Sequence, residues 1–146
     1  MRVRIIAVGK AKDRELRSLL GDYYSRIGRY AKLEELELKD GKESEVCERL
    51  SRSIPERSRV VALEVDGRRL SSHELSKWID RAENDSVQTV VFLIGGSYGL
   101  PSEISKKADL RLSLSAMTLP HRLARLVLAE QVYRAFSISR GEPYDH

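Results

Sequence analysis

Short apolar runs along the chain alternate with segments in which apolar residues recur at helical spacing. The run 2–8 predicts a strand, and the spacing of leucines and tyrosines over 13–27 predicts a helix. Leu36 and Leu38 alternate with glutamates, which predicts a second strand with one exposed face. A charged helix follows this strand and ends at Pro55. The first third of the chain therefore predicts strand, helix, strand, helix.

The middle of the chain continues this alternation. Residues 60–65 predict a third strand, which an Asp-Gly turn at 66–67 ends. Ser71 and Glu74 are three positions apart, the spacing of a capping box, in which the two residues bind each other's backbone N–H groups at a helix start. The run 87–94 predicts a fourth strand, and its almost unbroken apolar end indicates burial on both faces, as in the middle of a parallel sheet.

The last third adds a short helix, a strand and one long helix. The short helix begins at 101–102, and the alternation over 110–114 predicts a fifth strand. The segment 120–139 predicts a helix whose apolar residues lie around most of its circumference. Because one neighbour cannot cover all these sides, we expect the helix to pack on its own sheet and on a second copy of the chain. The apolar residues around the circumference of this predicted helix are Leu123, Leu126, Val127, Leu128, Val132, Tyr133 and Phe136.

Strands that alternate with helices predict an α/β fold with a mostly parallel sheet and helices on both faces. The chain has 146 residues, the length of one domain, so we expect a single domain over residues 1–146. A chain of this size buries enough surface to fold without a disulfide or a metal. Cys47 is the only cysteine, which excludes an intramolecular disulfide and a zinc site built from several thiolates. We therefore expect no metal.

Charge and hydropathy restrict the partners and the environment. The 26 Lys and Arg residues against 22 Asp and Glu residues give a formal net charge of +4, which is compatible with a polyanionic partner without requiring one. No apolar run approaches the roughly 18 residues of a membrane-spanning helix. The apolar stretch near the start is ended by Lys10 before it reaches the length of a signal peptide. We therefore expect a cytoplasmic protein that does not contact a membrane.

Two loops are candidates for ligand binding, because ligands of open parallel sheets bind beyond the carboxyl ends of the strands. The loop 95–100, Gly-Gly-Ser-Tyr-Gly-Leu, lacks the signatures of phosphate-binding and dinucleotide-binding loops, so its glycines serve either a turn or the approach of another ligand. The loop 113–121 is rich in small and hydroxyl residues that offer main-chain groups to a heterocycle. A plain helix start, with Thr118 as cap and Pro120 in the first turn, is the alternative.

The final helix and the tail carry the side chains best suited to chemistry. His121 follows the second loop. Glu130 and Arg134 are four positions apart, which in the simplest interpretation is a surface ion pair. Tyr144 and His146 belong to a terminus that is, in the simplest interpretation, a frayed end. The arginines of this region favour phosphate contacts or pairs across a subunit interface: Arg122, Arg125, Arg134 and Arg140.

Four segments occur together in a characteristic order. They are FLIGGSYGL at 92–100, LSLSAMTLPH at 112–121, LAEQVYRAFSI at 128–138, and Pro143-Tyr144. In this order they closely resemble the RlmH family of ribosomal RNA large-subunit methyltransferases. The resemblance covers essentially the whole chain, including the opening Ile-Ala-Val-Gly.

The resemblance implies a fold and an activity. The RlmH family belongs to the SPOUT, or α/β-knot, superfamily, in which the C-terminal part of a parallel sheet is threaded into a deep trefoil knot. Its members are homodimers that use S-adenosylmethionine to methylate N3 of a pseudouridine in 23S ribosomal RNA of the large subunit, and they act on assembled ribosomes. The knot loops hold the cofactor in a bent conformation, and the reaction needs no metal.

The resemblance also assigns roles by position. The positions matching the cofactor pocket are Leu63, Gly95, Gly96, Leu114, Ser115, Ala116, Met117, Thr118 and Leu119. His121 and Arg134 match catalytic positions near the dimer seam, and Arg125 and Glu130 match positions that bind the substrate there. Tyr144 and His146 match a catalytic tail that completes the site from the partner subunit.

The tail departs from the family pattern. The family carries a histidine directly after the Pro-Tyr pair, whereas this chain has Asp145 there and His146 one position later. Either His146 replaces that histidine or Tyr144 makes the important contact. The departure also leaves an alternative function, a non-catalytic RNA- or ribosome-binding module with the same fold.

Overall fold

A computed structural model describes residues 1–144, which form five strands and five helices in strict alternation. The predicted order of elements is confirmed. The strands are β1 (Arg2–Val8), β2 (Lys32–Leu38), β3 (Ser58–Arg69), β4 (Thr89–Ile94) and β5 (Leu110–Ser113), and the helices are α1 (Arg14–Ile27), α2 (Glu43–Ser53), α3 (Ser72–Asn84), α4 (Ser102–Lys107) and α5 (His121–Ser139).

The strands form one sheet in the order β2-β1-β4-β3-β5, and every strand pair is parallel. β4 is the central strand, and all six of its residues are buried. This position explains its unbroken apolar sequence, because a central parallel strand has helices over both faces. The predicted α/β fold with a parallel sheet is confirmed, and the knot remains an implication of the resemblance.

Two layers of helices bury the two faces of the sheet. On one face, Phe92 of β4 shares a core with Val132 of α5 and with apolar residues of α1 and α3. On the other face, Leu93 packs with Leu50 of α2 and Ile104 of α4. Neighbouring β4 residues therefore face opposite layers, as the alternation of side chains along a strand requires. The predicted helices on both faces are confirmed.

Helix α5 has three neighbours within its own chain. Tyr133 packs against Tyr23 of α1 with ring centroids 6.4 Å apart. On the side of α3, the Ser76 hydroxyl donates a 2.7 Å hydrogen bond to the carbonyl oxygen of Ala135. Val132 is fully buried against the sheet. The sheet and both flanking helices therefore cover most of the apolar circumference.

The reason for expecting a second copy on α5 was therefore wrong in part. A helix that lies between two others on a sheet is covered on three sides, so most of its apolar circumference is covered without a second copy of the chain. Two apolar side chains of α5 remain substantially exposed, Leu123 at 51% and Val127 at 38%. Any contact with another copy through apolar residues of α5 falls on these two, and not on Val132.

Strand β3 is longer than the sequence predicts. It continues through Asp66 and Gly67 to Arg69, with an irregularity in which Leu112 of β5 pairs with both Leu63 and Arg68. The intervening residues bulge out of the ladder. A Cβ at Gly67 would lie 2.6 Å from the Arg111 carbonyl oxygen, so only glycine fits this approach.

The start of α3 confirms one prediction about helix capping, and the start of α5 contradicts another. The capping box before α3 is confirmed, since the Ser71 N–H donates to Glu74 at 2.8 Å and the Glu74 N–H donates to the Ser71 hydroxyl at 3.1 Å. The residue preceding α5 is Pro120 with no side-chain cap, so the alternative that makes Thr118 the cap is wrong. In the part of the chain that the structure describes, no helix combines the length and apolarity needed to cross a membrane.

Candidate active site

A cavity of about 430 Å³ lies beyond the carboxyl ends of β3, β4 and β5. This volume is in the range of about 300–1,000 Å³ typical of small-molecule sites. All predicted cofactor residues except Ala116 line it, and so does His121: Leu63, Gly95, Gly96, Leu114, Ser115, Met117, Thr118 and Leu119. The two loops selected from the sequence therefore face a common space.

The first wall of the cavity is the loop after β4, which closes on itself. The Gly99 N–H donates a 3.0 Å hydrogen bond to the Gly96 carbonyl oxygen, and Gly99 has a φ of +78°. A Cβ at Gly95 would lie 2.5 Å from the Gly99 carbonyl carbon. Gly95 is therefore required by the turn itself, and the tip of this turn presents Tyr98, which is 95% exposed.

The second wall is the loop between β5 and α5, which serine hydroxyls shape. The Ser113 hydroxyl donates to the Ser115 carbonyl oxygen at 2.9 Å, and the Ser115 hydroxyl accepts the Met117 N–H at 3.0 Å. These local bonds hold the backbone in a turn without helix or strand geometry. Met117 is exposed at the edge of the cavity.

The lining is mainly apolar with a few polar groups at its edge. Leucines and an isoleucine from the strand ends offer a surface that suits a flat heterocycle, and hydroxyls of Ser97 and Thr118 are available for polar substituents. Among the described residues of the lining, Glu64 is the one carboxylate, and it is 3.3 Å from the guanidinium of Arg111. Arg111 also binds Asp66 at 2.9 Å and so fixes the β3 bulge beside the cavity.

A second cluster lies near the C-terminal end of α5. Arg134 donates to Glu130 Oε2 from Nε at 3.0 Å and from Nη2 at 2.7 Å, and the Tyr144 hydroxyl donates to the same oxygen at 2.8 Å. The Arg134 guanidinium lies 4.7 Å from the centre of the Tyr144 ring, which also packs edge-on against Tyr133. These contacts fix Tyr144 against its own chain.

Tyr144 is held in its neutral form. Burial and then the hydrogen bond to Glu130 raise the pKa of Tyr144 well above its ordinary value of 10. At neutral pH the phenol therefore remains a hydrogen-bond donor and is a poor proton acceptor. His146, the other predicted tail residue, lies outside the described residues, as does Asp145.

One chain does not bring the two groups of predicted residues together. His121 lines the cavity, whereas Arg134 lies 13 positions further along the same helix, which corresponds to about 20 Å at 1.5 Å per residue. The predicted catalytic residues of a single chain therefore occupy two separate places.

Arg125 is a buried residue whose contacts are with its own chain. It is fully buried, donates from Nη1 to Glu37 Oε2 at 2.5 Å, and donates from Nη2 to the Gly9 carbonyl oxygen at 3.3 Å. A side chain without exposed surface has nothing to offer a substrate, so these contacts replace the substrate-binding role predicted from the resemblance. The guanidinium instead ties α5 to the ends of β1 and β2.

Several residues that line the cavity are not among the site residues predicted from the sequence. Glu64 and Val65 lie in the β3 bulge and line the cavity, and the sequence signal at the bulge is the Asp-Gly pair, which predicts a turn. Ala124 lines the cavity one helical turn after His121, which the spacing of α5 predicts once His121 is placed. Ile94 and Leu112 also line the cavity, from the two strands β4 and β5 that the sequence predicts.

The fold and the cavity define the class of protein. The family model described as "Predicted SPOUT methyltransferase" matches residues 1–146. A solved structure of a probable methylase family protein from Haemophilus influenzae Rd KW20 superposes with a TM-score of 0.55 at 11% identity, covering 95% of this chain and 66% of that chain. At that identity the likeness concerns the fold alone.

Curated relatives identify the branch of this class. A protein of Sorangium cellulosum (strain So ce56), named ribosomal RNA large subunit methyltransferase H, is 46% identical over 146 residues and covers 100% of both chains. A protein of the same name from Bacillus thuringiensis (strain Al Hakam) is 42% identical over 157 residues and covers 99% of both chains. The chain therefore belongs to the ribosomal RNA large subunit methyltransferase H family, and the resemblance found in the sequence is confirmed.

Proposed function

We propose that this protein transfers a methyl group from S-adenosylmethionine to N3 of a pseudouridine in 23S ribosomal RNA, acting on assembled ribosomes in the cytoplasm. The observation that carries the proposal is the cavity between the loops after β4 and β5, because two of the four segments that carry the family resemblance, 92–100 and 112–121, meet there. The names of the relatives support a large-subunit ribosomal RNA substrate.

The cavity suits the proposed cofactor. Its apolar floor offers a surface for an adenine ring, and the hydroxyls and main-chain groups of the loop 114–119 offer partners to the ring edge and the ribose. When bound, S-adenosylmethionine supplies an electrophilic methyl group on its sulfonium. The contribution of this chain is to hold that group in line with the attacking nitrogen and to exclude water.

A homodimer with shared sites is part of the proposal. Helices α1 and α5 lie side by side in the same direction, because Asp13 pairs with Arg122 at one end and Tyr23 packs on Tyr133 at the other. Three exposed apolar side chains lie along these two helices: Leu19, Leu123 and Val127. Such a stripe is a suitable centre for a two-fold interface.

The spacing along α5 fits this interface. His121 and Arg134 lie six and seven positions on either side of Val127. A two-fold axis beside Val127, crossing two antiparallel α5 helices, therefore brings the cluster of Glu130, Arg134 and Tyr144 of one copy to the cavity of the other. This arrangement joins the two places that a single chain keeps about 20 Å apart.

In a site assembled from two copies, the side chains of both copies have a role in the methyl transfer. The Arg134 cation next to the acceptor ring favours the N3 anion that attacks the methyl carbon. The neutral Tyr144 phenol positions Arg134 or the substrate by hydrogen bonding. The proton of N3 leaves to a nearby base, for which His121, Asp145 and His146 are the candidates.

Mass mapping of methylated ribosomal RNA tests the proposal. Ribosomes that lack the modification are incubated with the protein and S-adenosylmethionine, and the RNA is digested and compared with a sample lacking the protein. We expect one additional methyl group on a pseudouridine of 23S RNA. If calorimetry shows cofactor binding but the RNA gains no mass, the proposed methyltransferase activity is refuted. The alternative function, a non-catalytic RNA- or ribosome-binding module, then remains.

A further inference from the structure

The carboxyl ends of β1 and β2 carry three lysines next to the cavity. Lys10 and Lys12 lie in the loop after β1, and Lys39 directly follows β2. All three are exposed, and none has a carboxylate within ion-pair distance in the described part of the chain. We call these three residues the lysine rim.

The loop after β1 is anchored at every second residue. The Gly9 carbonyl oxygen accepts Arg125 at 3.3 Å, and the N–H of the buried Ala11 donates to Glu37 at 2.8 Å. The residues between and after these anchors, Lys10 and Lys12, are left on the outside. These contacts fix the backbone of the loop and leave the two lysine side chains in solvent, so an anion binds there without having to order the loop backbone.

The lysine rim adjoins the cavity on two sides. A Cβ at Gly96, which lines the cavity, would lie 2.8 Å from the carboxylate of Asp40, the residue after Lys39. Asp13, the residue after Lys12, pairs with Arg122 at the start of α5, next to His121. The neighbouring acids only partly offset the rim, because Asp13 is paired with Arg122 and Asp40, which accepts the Gly41 N–H at 2.8 Å, supplies one negative charge against three lysines.

An exposed aromatic ring completes this surface. Tyr98, at the tip of the turn that begins at Gly96, is 95% exposed. A solvent-facing ring beside three unpaired cations suits single-stranded RNA, whose bases stack on aromatic rings while lysines contact its phosphates. An acidic protein surface would use the cations but not the ring.

We infer that the lysine rim and Tyr98 form the surface on which substrate RNA docks, with the lysines on phosphates and Tyr98 stacked on an unpaired base near the target nucleotide. The inference rests on the proposed function and goes beyond it by assigning the RNA contact to residues outside the cavity.

The test compares two triple variants that remove the same charge. K10A/K12A/K39A removes the lysine rim, whereas K32A/K77A/K106A removes three exposed lysines from β2, α3 and α4. Binding to ribosomes that lack the modification is measured by filter retention over a range of salt concentrations. We expect the rim variant to bind at least tenfold more weakly at 0.1 M salt, with a slope of log K against log salt reduced by about 2, because each lost phosphate contact removes roughly 0.7.

The control triple variant should bind within about twofold of the wild type, and both variants should bind S-adenosylmethionine as the wild type does. Equal losses in the two triple variants, or an unchanged salt slope in the rim variant, would overturn the inference. Retention of binding to ribosomal proteins after nuclease digestion would overturn it in favour of a protein surface.

Tyr98 is tested with Y98A and Y98F. We expect Y98A to weaken ribosome binding about tenfold and Y98F to preserve it, because the phenyl ring retains the stacking surface. Equal losses in the two variants would exclude stacking. Binding is scored without methyl transfer, so wild-type protein that binds through the rim yet adds no methyl group would support this inference and refute the proposed function.

Discussion

Arg125 of α5 and Glu37 of β2 form an ion pair at 2.5 Å inside the protein, with the Arg125 side chain almost without exposed surface. Glu37 also accepts the Ala11 N–H and lies 3.7 Å from Arg17, and Arg125 lies 3.5 Å from Glu35. The pair thus joins the helix that lines the cavity to the loop that carries two lysines of the rim.

Removal of one partner of this pair should destabilise the fold strongly. We expect R125M to lower the free energy of unfolding by about 3–5 kcal/mol, because Glu37 is left without its principal cation. Urea denaturation monitored by circular dichroism measures the change. R52A, which breaks an exposed pair with Glu48, is the control and should leave the urea midpoint almost unchanged. A loss in R125M as small as that in R52A would contradict the structural role.

The same pair should make stability depend on acid pH. Burial by itself would raise the pKa of Glu37, but the Ala11 N–H and Arg125 outweigh it and hold the pKa below its ordinary value of 4.5. The unfolded chain therefore takes up this proton at higher pH than the folded chain does. The contribution is complete above pH 4.5 and is lost as the pH falls through the folded pKa. We expect the urea midpoint to fall less between pH 6 and pH 3 in E37Q than in the wild type.

The sequence predicts the elements because their signals are local. The apolar run of β4 and the capping box at Ser71 each depend on residues that are close in the chain, and both are observed. The β3 bulge was missed because its cause is not local. An Asp-Gly pair normally ends a strand, but here Arg111 of β5, 45 positions away in the chain, binds Asp66, and the pairing of β3 with β5 resumes at Arg68.

The sequence predicts the loops of the candidate site but not which side chains are available in it. The family resemblance placed the loops around the cavity, but it could not tell that Arg125 is buried and paired, since that depends on Glu37 of β2, 88 positions away. Similarly, the helical projection of α5 shows which residues are apolar and not which neighbours cover them. Val132 and Val127 look alike in sequence, yet one is in the core and the other is exposed.

A bulky residue at Ala124 should block the cofactor without unfolding the chain. Ala124 lines the cavity and is not fully buried, so we expect A124F to fill part of the space and weaken S-adenosylmethionine binding at least tenfold. Isothermal calorimetry measures the affinity, and thermal denaturation checks the fold. A108F is the control, because Ala108 is also partly exposed but lies outside the cavity and outside the loop 114–119. Similar losses in both variants would argue against this cavity as the cofactor site.

A charge at the exposed stripe should prevent dimer formation. On the proposed interface we expect the wild type to sediment as a dimer and V127E as a monomer at the same concentration, because a carboxylate at the centre of an interface loses its hydration without a partner. Analytical ultracentrifugation gives the mass directly. K77E, a substitution on the exposed side of α3, is the control and should leave the dimer intact. A dimeric V127E protein would place the interface elsewhere.

Shared sites should also allow two inactive variants to restore each other. In H121A and in R134A homodimers every site lacks one group, so both should be nearly inactive. After the two proteins are unfolded together and refolded, about half of the dimers contain one copy of each, and one of their two sites then combines His121 of one copy with Arg134 of the other. The expected methylation rate is about a quarter of the wild-type rate per site, measured with saturating S-adenosylmethionine. Because sites built within one chain would all stay defective, a mixture no more active than its components would rule out assembly of the site from two copies.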